Sequence, residues 1–172
     1  MLHLLLAVQL PAPVGLSKAA LYLSTEASLP TGRVTQLLAE HPTLKRYTAQ
    51  AHPKTGTGTW PSLDNIYTQE INTLDVQERV MEQWVPLLIE RKNIGLVIID
   101  SLTGNYREEF SNPEYSFKQN MIRRAKAMRK MGVLLREYTR AGVAVVVVTQ
   151  VSDRFRKDGL AMSGTPRSFA LS

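Results

Sequence analysis

Two acidic side chains that each follow an apolar run are the strongest candidates for chemistry in this sequence. Asp100, with Ser101 beside it, ends the β-branched run 93–99, which lacks polar–apolar alternation and therefore predicts a strand buried on both faces. Glu26 follows a second apolar run, Ala19–Ser24. Because the carboxyl ends of parallel strands meet at one edge of a sheet, where ligands bind, we expect both acids at the same edge.

Carboxylates at such an edge suit the chemistry of a nucleotide. A desolvated aspartate needs a partner, and Mg²⁺, held directly or through water, is a common one beside phosphates. A second acid at the same edge can polarise a water molecule. Simpler roles remain open at this point, since Asp100 also fits a helix N-cap and Glu26 a capping or salt-bridging carboxylate.

The elements that must position these acids alternate between strands and helices. Besides the two strands, the apolar pattern predicts a short strand over Asn65–Thr68 and a strand over Val143–Val148, which leads to Gln150 at the same edge. Helices are predicted over Met1–Leu10, Thr31–Glu40, Asn72–Lys92 with a bend at Pro86, and Ser116–Arg140. This order predicts an α/β fold with a parallel sheet.

The side chains expected in the core follow the same periodicity. Trp84 is predicted to lie in the core. The last helix is expected to bury one stripe, formed by Phe117, Met121, Ala125, Met128, Leu135 and Tyr138. The polar stretches 41–61 and 102–113 predict a surface loop and an irregular connection, and Lys54–Thr59 lacks the Gly-Lys-Ser/Thr order of a phosphate loop.

Composition limits the class of protein. A chain of 172 residues without cysteine is one domain's worth of sequence and contains neither disulfides nor thiolate metal sites, which fits an intracellular protein. No apolar run reaches the length of a membrane span, so no membrane partner is expected. Residues 118–140 carry eight basic residues against one acid, Glu137, although the whole chain is only +6. This stripe indicates either a polyanionic partner or a solvated helix face.

Several of these segments, taken together in order and spacing, resemble the ATPase core of RecA-type recombinases, and most closely the eukaryotic recombinase paralogues of fungal type. The segments that carry the resemblance are Leu-Ala-Val-Gln-Leu-Pro at 6–11, Tyr-Leu-Ser-Thr-Glu-Ala-Ser-Leu-Pro-Thr at 22–31, Leu-Val-Ile-Ile-Asp-Ser at 96–101 with Tyr106 and Arg107, and Val-Ala-Val-Val-Val-Val-Thr-Gln-Val at 143–151. The resemblance implies a RecA-like P-loop NTPase core with a mostly parallel central sheet. It also implies a nuclear subunit for DNA repair by homologous recombination, which helps to assemble recombinase filaments.

The resemblance also assigns roles to individual residues. It makes Asp100, with Ser101, the Walker B site that holds Mg²⁺ through water, Glu26 the residue that orients the attacking water, and Gln150 the sensor of the ATP γ-phosphate. The segment 104–113, with Arg107, resembles a first DNA loop. A second loop would carry Arg154, Arg156 and Lys157. The implied partners are single-stranded DNA, a sister paralogue and the main recombinase.

Departures from the family pattern leave the activity open. The glycine-rich phosphate loop is expected just before Met1, strands that complete the sheet are expected after Ser172, and Thr149 replaces the usual asparagine. We therefore expect a partial core over 1–153, truncated at both ends, followed by a flexible basic tail over 154–172. Two alternatives are a non-catalytic scaffold that keeps a relic ATPase site and an unrelated P-loop NTPase or kinase.

Overall fold

A parallel four-stranded sheet forms the centre of the protein. The structure, a computed structural model, describes residues 1–49, 61–111 and 114–149. The strands are β1 (Ala19–Ser24), β2 (Ile66–Glu70), β3 (Ile94–Asp100) and β4 (Ala144–Val148), and they lie in the order β2-β1-β3-β4. All neighbouring pairs are parallel, as the alternation of strands and helices predicts.

Helices cover both faces of this sheet. The first face carries α1 (Leu2–Ala7), α2 (Thr31–Glu40) and α3 (Pro42–Ala49). The second carries α4 (Leu74–Arg79), a π-helical turn (Val80–Trp84), α5 (Val85–Lys92), α6 (Gly104–Glu109) and α7 (Phe117–Arg140). A 3₁₀ turn at Leu63–Asn65 precedes β2.

The strand side chains alternate between these two layers because successive residues of a strand point to opposite faces. Tyr22 and Ile98 pack with α1, whereas Leu23 and Ile99 pack with the helices of the second face. Both β1 and β3 are therefore buried on both sides, which explains why their sequences lack polar–apolar alternation.

Two segments that the sequence predicts as irregular are helical. Residues 42–49 form α3, and Leu44 is buried against Val34 of α2. Residues 104–109 form α6, because Tyr106 is fully buried in the core and anchors an otherwise polar segment. Tertiary burial thus decides the conformation where local sequence gives little helical pattern. Lys54–Thr59 lies outside the described residues.

The helix predicted over Asn72–Lys92 is interrupted earlier than expected. Its π-helical turn covers Val80–Trp84, one turn before Pro86. Proline lacks an N–H and its ring crowds the carbonyl four residues earlier, here that of Glu82, so widening this turn relieves both problems. The prediction that Trp84 is a core residue is wrong, because the side chain is 55% exposed.

The predicted inner stripe of α7 is correct only in its second half. Met128, Leu135 and Tyr138 pack in the core, whereas Phe117 is 78% exposed, and Met121 and Ala125 are exposed as well. A helix of 24 residues extends about 36 Å, while strands of five to seven residues extend only about 17–23 Å. The first turns of α7 therefore extend beyond the sheet that would bury them.

Strand β4 is less buried than its valine-rich sequence predicts. Its residues are intermediate in exposure or exposed, and it lies at one end of the strand order. Its placement after β3 is nevertheless as expected, with Asp100 opposite Val148.

Candidate functional site

Strand register brings the two predicted acids to one edge of the sheet. Ser24 lies opposite Asp100 in the β1–β3 pair, and the Thr25 N–H donates to the Asp100 carbonyl at 2.9 Å. Ser101 therefore directly follows the paired end of β3, and Glu26 lies two residues beyond the paired end of the neighbouring strand β1. The expectation that Glu26 and Asp100 share an edge is confirmed by the structure.

The hydroxyl of Ser101 joins the two strand ends. Its Oγ donates to Glu26 Oε1 at 3.2 Å. The Thr25 hydroxyl donates to the Ser101 carbonyl at 2.9 Å and accepts from the Ser101 N–H at 3.2 Å. Ser101 is buried and Glu26 is exposed, so the exposed carboxylate is held from below by a buried hydroxyl.

Asp100 is oriented by a tyrosine of the neighbouring strand. The Tyr22 hydroxyl donates to Asp100 Oδ2 at 2.8 Å. Burial, reinforced by the Asp100 carboxylate, raises the pKa of Tyr22 well above its usual range, so its hydroxyl remains a donor throughout the physiological pH range. The described residues donate no hydrogen bond to Asp100 Oδ1, which leaves that oxygen available for a ligand.

A small polar cleft lies beside Glu26. Its volume is about 40 Å³, which is enough for at least one water molecule. Glu70, at the carboxyl end of β2, shares this cleft with Glu26. The lining residues come from the ends of β1 and β2 and the turns that follow them: Ser24, Thr25, Glu26, Ala27, Ser28, Glu70 and Asn72.

Helix α6 begins directly against this cluster. A Cβ atom at Gly104 would lie 3.1 Å from Thr25 Oγ1, 3.4 Å from Ser101 Oγ and 3.5 Å from Glu26 Oε1, so glycine permits the close approach. Arg107 lies one turn further along α6 and is exposed. Residues 104–109 of the predicted first DNA segment therefore form an ordered helix packed on the acidic edge rather than an irregular loop.

Two buried amides attach α6 to the second face of the sheet. Gln77 Nε2 donates to the Leu102 carbonyl at 3.1 Å, and Asn105 Nδ2 donates to Gln77 Oε1 at 2.9 Å. Asn105 Nδ2 also lies 3.4 Å from the Ile71 carbonyl. We call Gln77, Asn105 and the Leu102 carbonyl the amide clamp. It fixes the segment that links Asp100 to α6.

The predicted site residues fall into two groups. Glu26, Asp100 and Ser101 come together at the edge, with Arg107 on the helix that starts there. Gln150, Arg154, Arg156 and Lys157 lie outside the described residues. Tyr22 and Thr25 lie inside the segment 22–31 that carries the resemblance, but the sequence assigned them no role. The amide clamp had no sequence signal.

The oxygen ligands at this edge of the sheet fit a magnesium ion that is bound together with a nucleotide. Mg²⁺ prefers oxygen ligands and is usually held by one or two carboxylates together with water and substrate phosphates. The half-exposed Asp100 carboxylate, with one oxygen oriented by Tyr22, supplies such a ligand. Within residues 1–49, 61–111 and 114–149 no group of three acidic or histidine side chains forms a self-sufficient metal cage.

Comparison with known proteins agrees with this geometry. A sequence model of the Rad51 family matches residues 2–168. The DNA repair protein rhp57 of Schizosaccharomyces pombe is 34% identical over 91% of this chain and 45% of its own length. The DNA repair protein RAD57 of Saccharomyces cerevisiae is 33% identical over 90% of this chain and 31% of its own length. The DNA repair protein XRCC3 of Bos taurus is 28% identical over 96% and 46%, respectively.

The chain spans about half or less of the length of these relatives. No helix in the described part of the chain has the length and apolar character needed to cross a bilayer. The α/β architecture with a parallel sheet, the acids at its carboxyl edge and the match over nearly the whole sequence agree on one assignment. The chain belongs to the Rad51 family.

Proposed function

We propose that this chain is part of a subunit for DNA repair by homologous recombination, which binds ATP with Mg²⁺ and single-stranded DNA. The observation that carries the proposal is the hydrogen bond from Ser101 to Glu26 at the strand end that also presents Asp100, in a chain of the Rad51 family. Phosphoryl transfer depends on positioning and charge neutralisation, and this edge offers both.

Each edge residue has a role in this proposal. Asp100, oriented by Tyr22, holds Mg²⁺ through water, and Ser101 supports the same site. Glu26, exposed beside a water-sized cleft and fixed by Ser101, orients the water that attacks the γ-phosphate. Bound Mg²⁺ supplies neutralisation of the charge that develops on the phosphates. Gln150 is proposed to sense the γ-phosphate.

DNA binding is proposed for the helix and loop next to the nucleotide edge. Arg107 lies on α6, whose first residue approaches Glu26 and Thr25, so a change at the nucleotide reaches α6 directly. Arg154, Arg156 and Lys157 add positive charge in the segment after β4. The proposed protein partners are a sister paralogue and the main recombinase, and the proposed compartment is the nucleus.

A non-catalytic scaffold with a relic site is the competing function. Glu26→Gln and Asp100→Asn distinguish the two proposals in a chain extended at its amino terminus by a glycine-rich phosphate loop. We expect both substitutions to lower ATP turnover, and Asp100→Asn also to lower nucleotide-dependent binding of single-stranded DNA. If neither substitution changes turnover or DNA binding, the scaffold function is the correct one.

The chain as given is expected to bind ATP weakly or not at all. The backbone N–H groups and lysine of a phosphate loop supply most phosphate affinity, and this sequence contains no such loop. Titration calorimetry with Mg-ATP measures this directly. A micromolar dissociation constant would contradict the expectation.

A further inference from the structure

The outward face of α7 carries an ordered row of positive charge that the proposed nucleotide site does not use. At 100° per residue, five basic side chains fall within an arc of about 80° on the side of α7 opposite its buried residues. Each of them is exposed. We call this set the α7 basic face: Lys118, Lys126, Arg129, Arg136 and Arg140.

The residues of this face lack acidic partners in the part of the chain that the structure describes. Their neighbours on the flanks of α7 differ. Lys130 pairs with Glu78 and Glu82 of the second helical layer, and the Arg123 guanidinium lies 4.2 Å from the ring centroid of Tyr115. These two flanking cations thus contact other parts of the fold, while the cations of the α7 basic face are available for a ligand.

The row is long and rigid. From Lys118 to Arg140 the helix rises about 33 Å. A capping box at its first turn, with Gln119 N–H donating to Ser116 Oγ and Ser116 N–H donating to Gln119 Oε1, fixes its start. Because α7 leads from the carboxyl edge after β3 to the start of the parallel strand β4, the row runs from one edge of the sheet toward the opposite edge.

We propose that the α7 basic face binds the phosphate backbone of double-stranded DNA, as a contact separate from the nucleotide edge. A row of about 33 Å matches one turn of duplex, which is about 34–36 Å. The arc contains no aromatic side chain, whereas single-strand sites combine positive charge with aromatic stacking platforms. A duplex offers a denser and more regular line of phosphates to such a row.

Two exposed aliphatic side chains on the same face define the alternative occupant. Ile122 is 60% exposed and Val133 is 51% exposed, and both fall within the arc. An acidic amphipathic helix of a partner protein would use them as anchors. The five cations of the α7 basic face outnumber the two aliphatic anchors, and the only acid near them on α7 is Glu137, at the margin of the arc. Charge complementarity therefore favours the phosphates of DNA.

The test measures binding of a fluorescent 20-base-pair duplex of mixed sequence to the purified chain between 50 and 200 mM salt. The test variant is Arg129→Gln/Arg136→Gln/Arg140→Gln. The matched control, Arg46→Gln/Arg79→Gln/Arg91→Gln, removes the same charge from exposed positions outside α7. Loss of three phosphate contacts lowers the slope of log K against log salt by about 2.7 and the affinity at low salt by at least about tenfold.

The outcomes are distinct. The control triple variant should keep the slope of the wild type, as should Ile122→Ser/Val133→Ser. Wild-type protein that does not bind the duplex, or an α7 triple variant that behaves as the control does, overturns the proposal. If the aliphatic variant loses duplex binding while the α7 triple variant keeps it, the contact is not with phosphates and the proposal is wrong. If the face binds a poly-glutamate peptide through its arginines but not the duplex, the surface is a protein-docking site and the proposal is also wrong.

Folding and the nucleotide site are controlled separately. Circular dichroism should give the same helix content for all variants, and if the triple variant unfolds, Arg129→Gln and Arg136→Gln alone should each lower the slope by about 0.9. Duplex binding by this face needs neither ATP nor Arg107. If the α7 basic face does not bind duplex DNA, the proposed recombination function is unaffected. If the proposed recombination function is wrong, duplex binding by the α7 basic face is likewise unaffected.

Discussion

Two sets of polar side chains flank the end of β3, and the fold treats them in opposite ways. The edge cluster, formed by Tyr22, Thr25, Glu26, Asp100 and Ser101, opens to solvent through its two carboxylates. The amide clamp is closed, because Gln77 and Asn105 are buried and hydrogen-bonded to each other and to the chain. One set keeps oxygen atoms available for a ligand, while the other uses its polar atoms to hold the backbone.

The difference shows how this edge can combine reactivity with rigidity. A carboxylate that water can reach stays ionised at little cost in free energy. It can hold a ligand in a fixed position only if the strand that carries it does not move. Here the segment after Asp100 is fixed on one side by Leu102, whose N–H donates to the Val148 carbonyl and whose carbonyl accepts from Gln77. The clamp therefore helps to hold the backbone that carries the cluster.

Breaking the clamp should give the largest effect on stability. Asn105→Ala leaves the buried Gln77 Oε1 without its donor, and we expect a loss of about 2 kcal/mol in the free energy of unfolding. Urea unfolding measures it. Asn72→Ala, an exposed amide in the adjoining turn, is the matched control and should change the value by less than about 0.5 kcal/mol. Equal losses in both variants would show that the clamp has no special role.

Removing one hydrogen bond from the edge cluster should cost less. Tyr22→Phe deletes the donor to Asp100 Oδ2, and because this carboxylate is half-exposed, water replaces much of the lost bond. We expect a loss of about 1 kcal/mol in unfolding free energy. Tyr67→Phe on β2 is the control, since its hydroxyl has no hydrogen-bond partner among the described residues. If Tyr22→Phe lowers the unfolding free energy as much as Asn105→Ala does, the distinction between the solvent-open edge cluster and the closed amide clamp is wrong.

The smallest effect is expected at Tyr106, whose hydroxyl is buried without a partner in the described part of the chain. Tyr106→Phe should leave the unfolding free energy at pH 7 unchanged or raise it by up to about 1 kcal/mol. Calorimetric unfolding at pH 7 tests this, and a clear loss of stability would reveal a hydrogen bond to that hydroxyl.

The same residue predicts a pH dependence. Burial, with a smaller contribution from Glu78, raises the pKa of Tyr106 from 10.0 to about 12. The unfolded chain releases this proton near pH 10 while the folded chain retains it, so this part of the stability is present below pH 10 and is lost as the pH rises to 12. Tyr106→Phe should therefore lose less stability over that interval than the wild type. An identical decline in both proteins would exclude a contribution from Tyr106.

The sequence predicted best those elements that are buried on both sides. The predicted bounds of β1 and α2 are those of the structure, and Glu26 and Asp100 do meet at one edge. Unbroken apolar runs specify such strands, and parallel pairing then fixes where their ends lie. The shared edge could thus be derived without knowing any contact between side chains.

What the sequence could not give depends on the reach and register of neighbouring elements. Periodicity identified an apolar side of α7, but it could not show that Phe117 extends beyond the sheet. Periodicity also placed Trp84 in the core, whereas the side chain lies in the π-helical turn and is exposed. The bond from Tyr22 to Asp100 depends on the cross-strand register. The helix at 104–109 depends on two buried side chains, Asn105 and Tyr106, which leave no helical pattern in the sequence.

The central claim is that Glu26 and Asp100 form one nucleotide site. The most direct test is to measure both ATP turnover and Mg-ATP binding in the variant Glu26→Gln. The chain should be extended by a phosphate loop, and Glu70→Gln, in the same cleft, is the matched control. We expect Glu26→Gln to lower ATP turnover at least about 100-fold while the dissociation constant of Mg-ATP stays within about threefold of the wild type. Turnover that survives Glu26→Gln, or that falls equally with Glu70→Gln, would contradict the account.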